Sequence, residues 1–137
     1  MPHLETLAVH AGREDFIRIG VHAPPIDLST TYPTPDLAMG TASFDALVAG
    51  EASAENPIYA RLHNPTVARV ENAVAQLEGM PACVAFGSGM AAMTAVLLQA
   101  KSRGNHVLAV RPVYGTSDHL LASGLCGIET EFVSAHE

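Results

Sequence analysis

A Gly-Ser-Gly turn, Gly87 to Gly89, separates a short apolar run from a long one, and its residue types could bind an anion. Small residues let a chain turn tightly from a buried strand into a buried helix, and the first backbone N–H groups of that helix have no partner within it. These groups and the helix dipole favour a phosphate. The backbone at Ser88, Gly89 and Met90 is therefore a predicted phosphate site, although close packing alone also produces such turns.

Two further sites in the sequence carry residues that could contact the same kind of ligand. Tyr59 and Arg61 lie just before a predicted helix; a guanidinium can bind a phosphate through two parallel hydrogen bonds, and a tyrosine hydroxyl adds a donor. Tyr114 follows a predicted strand, at the sheet edge where α/β proteins bind ligands, so its ring could stack on a flat cofactor. Each feature alone would equally suit ordinary packing, so the interpretation depends on their occurring together.

Two alternatives remain open from these residues. Gly87, Gly89 and Ala92 also fit the Gly-x-Gly-x-x-Gly/Ala fingerprint of dinucleotide-binding domains. That fingerprint expects an acidic residue about 20 positions later, whereas Arg111 follows the second predicted strand and would suit the 2′-phosphate of NADP. An NADP-binding, Rossmann-like domain is one alternative. The other is a non-catalytic domain that binds a phosphate ligand or assembles with a partner.

The elements that must position these residues alternate between helices and strands from Pro65 onward. Asn64 can cap the first helix, Pro65 suits its first position, and Gly79 ends it. Strands that alternate with helices of this length predict an α/β fold with a mainly parallel sheet. The predicted series is helix 65–78, buried strand 82–86, helix 88–103 buried on all sides, strand 106–110, helix 116–125 and strand 128–133.

Residues 1–64 differ from this pattern because they are rich in proline and threonine. We predict helices only at 4–10 and at 44–49, the second capped by Ser43 and ended by Gly50. A long stretch without regular structure argues against a self-contained monomer.

This first part is therefore interpreted as an arm that lies on another subunit. The arm would bury four apolar or aromatic side chains there, namely Ile26, Leu28, Tyr32 and Ile58. Residues 65–137 would begin an α/β domain whose last strand leaves an apolar edge uncovered, so we expect a fragment of a longer protein.

Composition excludes several classes of function. The chain has 137 residues, 48% of them hydrophobic, and a net charge of −7 without a basic stripe, which argues against a nucleic-acid partner. The longest strongly apolar stretch, 90–98, is shorter than the roughly 20 residues that span a bilayer, and no signal pattern opens the chain. We expect a cytoplasmic protein without a membrane partner.

Cys83 and Cys126 suit buried thiols in a reducing compartment. The histidines lack the spacing of metal ligands, so no metal is expected.

Six runs of residues stand in one order along the chain: 6–12, 25–32, 59–66, 77–79, 85–92 and 113–115. In that order they resemble the N-terminal part of the Cys/Met-metabolism family of pyridoxal-phosphate enzymes, which includes cystathionine γ-synthases, cystathionine lyases and methionine γ-lyases. The resemblance implies a fold-type I α/β architecture, an N-terminal arm followed by the first βαβαβ part of the sheet. It also implies a pyridoxal 5′-phosphate cofactor and a homotetramer built from dimers.

The same resemblance implies a role for each candidate residue. The backbone of Ser88, Gly89 and Met90 would bind the cofactor phosphate. Tyr114 would stack on the pyridine ring and give a proton to the departing sulfur. Tyr59 and Arg61 would reach the phosphate of the neighbouring subunit. The implied reaction is β- or γ-elimination, or γ-replacement, on cysteine, methionine, cystathionine or homoserine-derived substrates. We favour a γ-lyase, although the sequence does not separate lyase from synthase.

The sequence departs from the family in three respects. Lys101, the only lysine, does not match the context of the lysine that binds the cofactor covalently, and the family's pyridine-binding aspartate is also missing. We therefore expect these residues to be inactive alone. Thr116 follows Gly115 where some methionine γ-lyases carry a cysteine, which counts against methionine as the substrate.

Overall fold

The computed structural model describes residues 3–51 and 56–135. The chain forms two compact units, Met1–Ala85 and Phe86–Glu137. No helix in the described ranges is both long and apolar enough to cross a membrane.

The first unit contains four helices: α1 (Leu4–His10), α2 (Phe16–Ile19), α3 (Leu37–Val48) and α4 (Pro65–Glu78). Local sequence signals set the bounds of α4. The Asn64 side chain accepts hydrogen bonds from the amides of Thr66 and Val67 at 2.9 and 3.1 Å, and Pro65 occupies the first turn. Gly79 ends the helix with a φ of 63°, a left-handed conformation that glycine adopts without steric cost. The predicted helices 65–78 and 4–10 are confirmed.

Polar contacts hold the segment after α1 against α4. The Arg69 guanidinium donates two hydrogen bonds to the Asp15 carboxylate, of which the one from Nη2 to Oδ2 is 2.7 Å long. The same guanidinium lies 5.4 Å from the centroid of the Phe16 ring. Farther along α4, Gln76 donates to Glu14 at 2.7 Å. These contacts hold the start of the chain in place, although neither α1 nor α2 contains a buried residue.

The predicted helix 44–49 is wrong at its start. Helix α3 begins at Leu37, where the Asp36 carboxylate caps it by accepting from the Met39 amide at 2.8 Å. Ser43, the predicted cap, is buried inside the helix, and its hydroxyl accepts from the Asn56 amide at 3.3 Å. Gly40 is a poor helix former, so propensity alone places the start too late.

The second unit contains α5 (Gly89–Lys101), β1 (His106–Arg111), α6 (Gly115–Ala122) and β2 (Glu129–Ser134). The two strands are parallel, and their register runs from His106 opposite Glu129 to Arg111 opposite Ser134. The core of this unit draws one residue from each helix, one from β1 and the residue just before β2: Leu97, Ala109, Leu121 and Ile128. The predicted α/β fold with a parallel sheet is confirmed.

Two predictions for the region before β1 are wrong. Residues 82–86 are not a strand, because the only strand ladder in the described ranges joins β1 to β2, and the Ala85 amide donates instead to the Glu71 carboxylate at 2.8 Å. Helix α5 is not buried on all sides, since Val96 remains 67% exposed and only Leu97 is buried. The core of this unit covers one face of α5, so an apolar composition does not make the other face buried.

The predicted division into an arm, 1–64, and an α/β domain, 65–137, concerns contacts with a second subunit and stays a prediction. Within this single chain, Leu28 is 87% exposed and Ile26 is also exposed, whereas Tyr32 and Ile58 are half-buried.

The Asp15 to Arg69 pair predicts a pH-dependent stability. Hydrogen bonds from Arg69 hold the pKa of Asp15 below its usual range. The carboxylate therefore favours the folded state above the unfolded-chain pKa of about 3.9, and this contribution is lost as the pH falls through the lower folded-state pKa. We expect Asp15→Asn to lower the urea midpoint at neutral pH and to have little effect near pH 2.

The matched control is Asp45→Asn, since Asp45 is exposed on α3 and forms no ion pair among the described residues. Its midpoint should follow that of the unsubstituted protein at both pH values. A loss for Asp15→Asn that is equally large in acid would contradict the prediction.

Candidate functional site

The start of α5 presents backbone donors that have no acceptor among the residues the structure describes. Ser88 has extended backbone angles, φ −160° and ψ 157°, and its hydroxyl accepts from the Ala91 amide at 3.1 Å. The amides of Ser88, Gly89 and Met90 have no hydrogen-bond acceptor within the described part of the chain. A Cβ built on Gly89 would meet no atom within 4 Å, so the space beside this turn is open. The arrangement can bind an anion.

Tyr114 is brought to the same end of the second unit. The N-terminal turns of α5 and α6 meet where the buried Ser117 hydroxyl lies 3.5 Å from the Met90 sulfur. Tyr114 immediately precedes α6, is 69% exposed, and makes no capping hydrogen bond with its side chain. The structure thus brings the predicted phosphate donors and the predicted stacking ring together at the carboxyl end of β1.

Arg111 does not serve as the free guanidinium that the NADP alternative requires. Its Nε donates to Oδ1 of Asp118 at 2.6 Å, and its Nη2 donates to Oδ2 at 3.0 Å. These bonds from Arg111 hold the pKa of the Asp118 carboxyl below its usual range. Sequence reasoning missed Asp118, because an ion pair across a loop leaves no periodic signal.

Tyr59 and Arg61 form a second candidate group in the first unit. Tyr59 is held by an isolated antiparallel bridge to Thr31, beside which the Ala60 amide donates to the Thr30 carbonyl at 2.9 Å. The Arg61 guanidinium lies 5.0 Å from the Tyr59 ring centroid, is exposed, and forms no ion pair in the described ranges. The Arg61 guanidinium therefore remains available to bind a phosphate.

Asn64 joins this group to the rest of the first unit. Besides capping α4, its side-chain amide donates to the Asp27 carbonyl and to the Tyr32 hydroxyl, both at 3.3 Å. One side chain therefore fixes the start of α4 and the extended segment that pairs with Tyr59. The capping role was predicted from the sequence, whereas the two donor contacts were not.

The two candidate groups lie in different units: Tyr59 and Arg61 in Met1–Ala85, and the turn with Tyr114 in Phe86–Glu137. The structure assembles each group within its own unit. The predicted approach of Tyr59 and Arg61 to a neighbouring subunit's phosphate stays a prediction.

The second unit's residues fit pyridoxal phosphate. Three unpaired amides beside an open space suit a dianionic phosphate, and an exposed aromatic ring at the same end suits a flat pyridine.

Other polar residues take ordinary roles. Lys101 is exposed at the end of α5, and its Nζ donates to the Cys126 carbonyl at 3.2 Å. Cys83 and Cys126 are half-buried free thiols. Within the described ranges, no group of three or more His, Cys, Asp or Glu side chains is arranged to hold a metal ion.

Comparisons with known proteins point to one family. Residues 5–137 match the family described as Cys/Met metabolism PLP-dependent enzyme. The chain is 58% identical over 132 residues to an L-methionine gamma-lyase of Streptomyces avermitilis, covering 95% of this chain and 32% of that protein. It is 52% identical over 128 residues to an L-methionine gamma-lyase of Brevibacterium sandarakinum, covering 91% of this chain and 33% of that protein.

A solved structure supports the same assignment at the level of fold. The crystal structure of cystathionine gamma-lyase from Lactobacillus plantarum, complexed with L-serine, superimposes with a TM-score of 0.71 and 27% identity, covering 98% of this chain and 31% of that one. The chain spans about a third of the length of the curated relatives that it matches.

The dual role of Asn64 predicts different effects for two substitutions. Asn64→Ala removes both the cap and the donors and should cost about 1 kcal/mol or more of unfolding free energy. Asn64→Asp keeps an oxygen that can cap α4, adds a favourable charge at the helix start, and loses only the donors. We expect Asn64→Ala to be the less stable variant in urea unfolding.

Hydrogen exchange separates the two functions of this side chain. Both variants should exchange faster at the amides of Tyr32 and Ala60, which pair beside Tyr59. Unchanged exchange there would show that the donor contacts do not hold the segment.

Proposed function

This chain belongs to the Cys/Met metabolism family of pyridoxal-phosphate-dependent enzymes, and from that premise we propose that it forms the cofactor-phosphate part of a carbon–sulfur lyase acting on L-methionine. It has the α/β architecture of the N-terminal portion of fold-type I enzymes. Pyridoxal phosphate is the cofactor of this family. The names of the relatives that are 58% and 52% identical support methionine over the other sulfur amino acids, against the inference from Thr116.

The observation that carries the proposal is the meeting of α5 and α6 at one end of the second unit. It places the unpaired amides of Ser88, Gly89 and Met90 at the same end as the exposed ring of Tyr114. The amides would bind the phosphate through charge-assisted hydrogen bonds, and the ring would stack on the pyridine.

The chain's own residues would then bind and orient the cofactor and transfer one proton. When bound, pyridoxal phosphate supplies the electron sink for chemistry at the substrate's α-carbon. The hydroxyl of Tyr114 has no hydrogen-bond partner in the described ranges, so its proton is available to the sulfur that leaves the γ-carbon. Protonation makes that sulfur a better leaving group.

A second subunit would complete the site. We propose a homotetramer of dimers in which Tyr59 and Arg61 reach the phosphate bound by the neighbouring subunit. Arg61 supports this role because its charge has no ion-pair partner in the described ranges. The exposed apolar side chains of Ile26 and Leu28, which a neighbour would cover, support it as well. A cytoplasmic location is also proposed, consistent with the two free thiols.

The proposal is tested on the complete protein that carries this chain. Incubation with pyridoxal phosphate should give a visible absorption band that borohydride bleaches, and addition of L-methionine should release methanethiol. A parallel titration with NADPH serves as the control ligand. Binding of NADPH without binding of pyridoxal phosphate, or retention of the cofactor without any turnover of a sulfur amino acid, would overturn the proposal.

Arg61→Ala should weaken retention of the cofactor. A charge-assisted contact of this kind contributes roughly 1.5–3 kcal/mol, so the dissociation constant should rise by about ten-fold to a hundred-fold. Dialysis followed by absorption of the bound cofactor measures the change. Arg103→Ala, which removes another exposed arginine, is the matched control. Equal cofactor occupancy in the two variants would exclude the proposed role of Arg61.

Tyr114→Phe should separate binding from turnover. The phenylalanine ring can still stack, so cofactor occupancy should stay close to that of the unsubstituted protein. Loss of the hydroxyl should lower kcat by about a hundred-fold, the scale typical of general acid catalysis. Ser102→Ala removes an exposed hydroxyl at the opposite end of α5 and should leave kcat nearly unchanged. If Tyr114→Phe turns over at the original rate, its hydroxyl is not the acid.

A further inference from the structure

Arg111 joins three elements of the second unit. It is the last residue of β1, and its guanidinium binds Asp118, in the first turn of α6, through two parallel hydrogen bonds of 2.6 and 3.0 Å. On its other side the guanidinium carbon lies 3.5 Å from the centroid of the Phe132 ring on β2. The strand end, the neighbouring strand and the following helix therefore meet at one planar group.

The ring of Phe132 gives this contact a fixed support. Phe132 pairs with Ala109 in the parallel register and packs against the buried core. Arg111 lies two residues beyond Ala109, so alternation along the strand places its side chain on the same face. The guanidinium thus stacks on a ring that the core itself holds.

Tyr114 lies inside the loop that this pair closes. The Asp118 amide donates to the Tyr114 carbonyl at 2.9 Å, while the Asp118 carboxylate binds Arg111. The phenol ring of Tyr114 is exposed and its hydroxyl has no partner among the described residues. Its place is therefore set by its backbone, and that backbone is connected to β1 through Asp118 and Arg111.

We propose that Arg111 is a positioning residue that, through Asp118, holds Tyr114 where it can act on the cofactor and the leaving sulfur. The inference rests on the proposed function for the chemistry that Tyr114 performs, but not for the geometry of the loop. Arginine suits the task because its planar group makes two bonds to a carboxylate in one plane and stacks on an aromatic face, whereas lysine provides only a point charge.

The test uses Arg111→Lys and Asp118→Asn in the complete protein, with Arg103→Lys as the matched control, because Arg103 is exposed and makes no ion pair among the described residues. Amide exchange is measured first without cofactor. We expect the amides of 113–118 to exchange about five-fold faster in both site variants, a change on the scale of one partly exposed ion pair, and to be unchanged in the control.

Kinetics then distinguish positioning from general stability. Arg111→Lys should lower kcat for L-methionine by about ten-fold with KM within two-fold, since small displacements of a reacting group cost rate more than binding. In a Tyr114→Phe background, the same substitution should lower kcat less than two-fold, because the group that it positions is gone.

Three results would overturn the proposal: unchanged exchange at 113–118, an unchanged kcat in Arg111→Lys, or an equal loss of kcat with and without the Tyr114 hydroxyl. Failure of the proposed function would look different, because the unsubstituted protein would then neither bind pyridoxal phosphate nor consume methionine. The exchange measurement on the cofactor-free protein would still decide whether Arg111 fixes the Tyr114 loop.

Discussion

The unpaired amides at the start of α5 are the constraint on which the rest of the site depends. A helix cannot satisfy its first N–H groups internally, and here the Ser88 hydroxyl satisfies the Ala91 amide while leaving those before it free. An anion is the natural partner for donors that also lie at the positive end of a helix dipole. The packing of α5 against β1 and α6 through Leu97 holds these donors on a rigid element. In the proposed site, these donors would hold the phosphate of pyridoxal phosphate.

The other proposed site residues would add to this contact. Tyr114 reaches the same end because α6 begins beside α5, and the pair formed by Arg111 and Asp118 connects its loop to the sheet. Arg61 lies in the first unit, where it stacks near the Tyr59 ring and forms no ion pair with any described residue. The chain as a whole has a net charge of −7, so a phosphate dianion needs local positive charge to be retained. In the proposed site, the amides at the start of α5 and the Arg61 guanidinium of a neighbouring subunit would supply that charge.

Local sequence signals predicted the helices that position the site. The features that they missed depend on contacts with residues outside the local pattern. Asn64 and Gly79 act through backbone groups within three or four residues, so their capping roles could be recognised from the sequence. The strand predicted at 82–86 failed because a strand needs a hydrogen-bonding neighbour, which apolar composition alone does not guarantee. Asp118 was missed for a related reason, since its partner lies seven residues away across a loop.

The two ligand interpretations of the Gly-Ser-Gly turn illustrate why a motif needs its surroundings. The spacing of Gly87, Gly89 and Ala92 fits dinucleotides and pyridoxal phosphate equally, because both are held by the same helix-start amides. The residue that distinguishes the two ligands is Arg111, at the end of β1. An NADP site would need Arg111 free to meet a 2′-phosphate, but one edge of its guanidinium binds Asp118 and one face stacks on Phe132. Tyr114 is exposed at that end, and the proposed function gives its ring a flat pyridine to stack on.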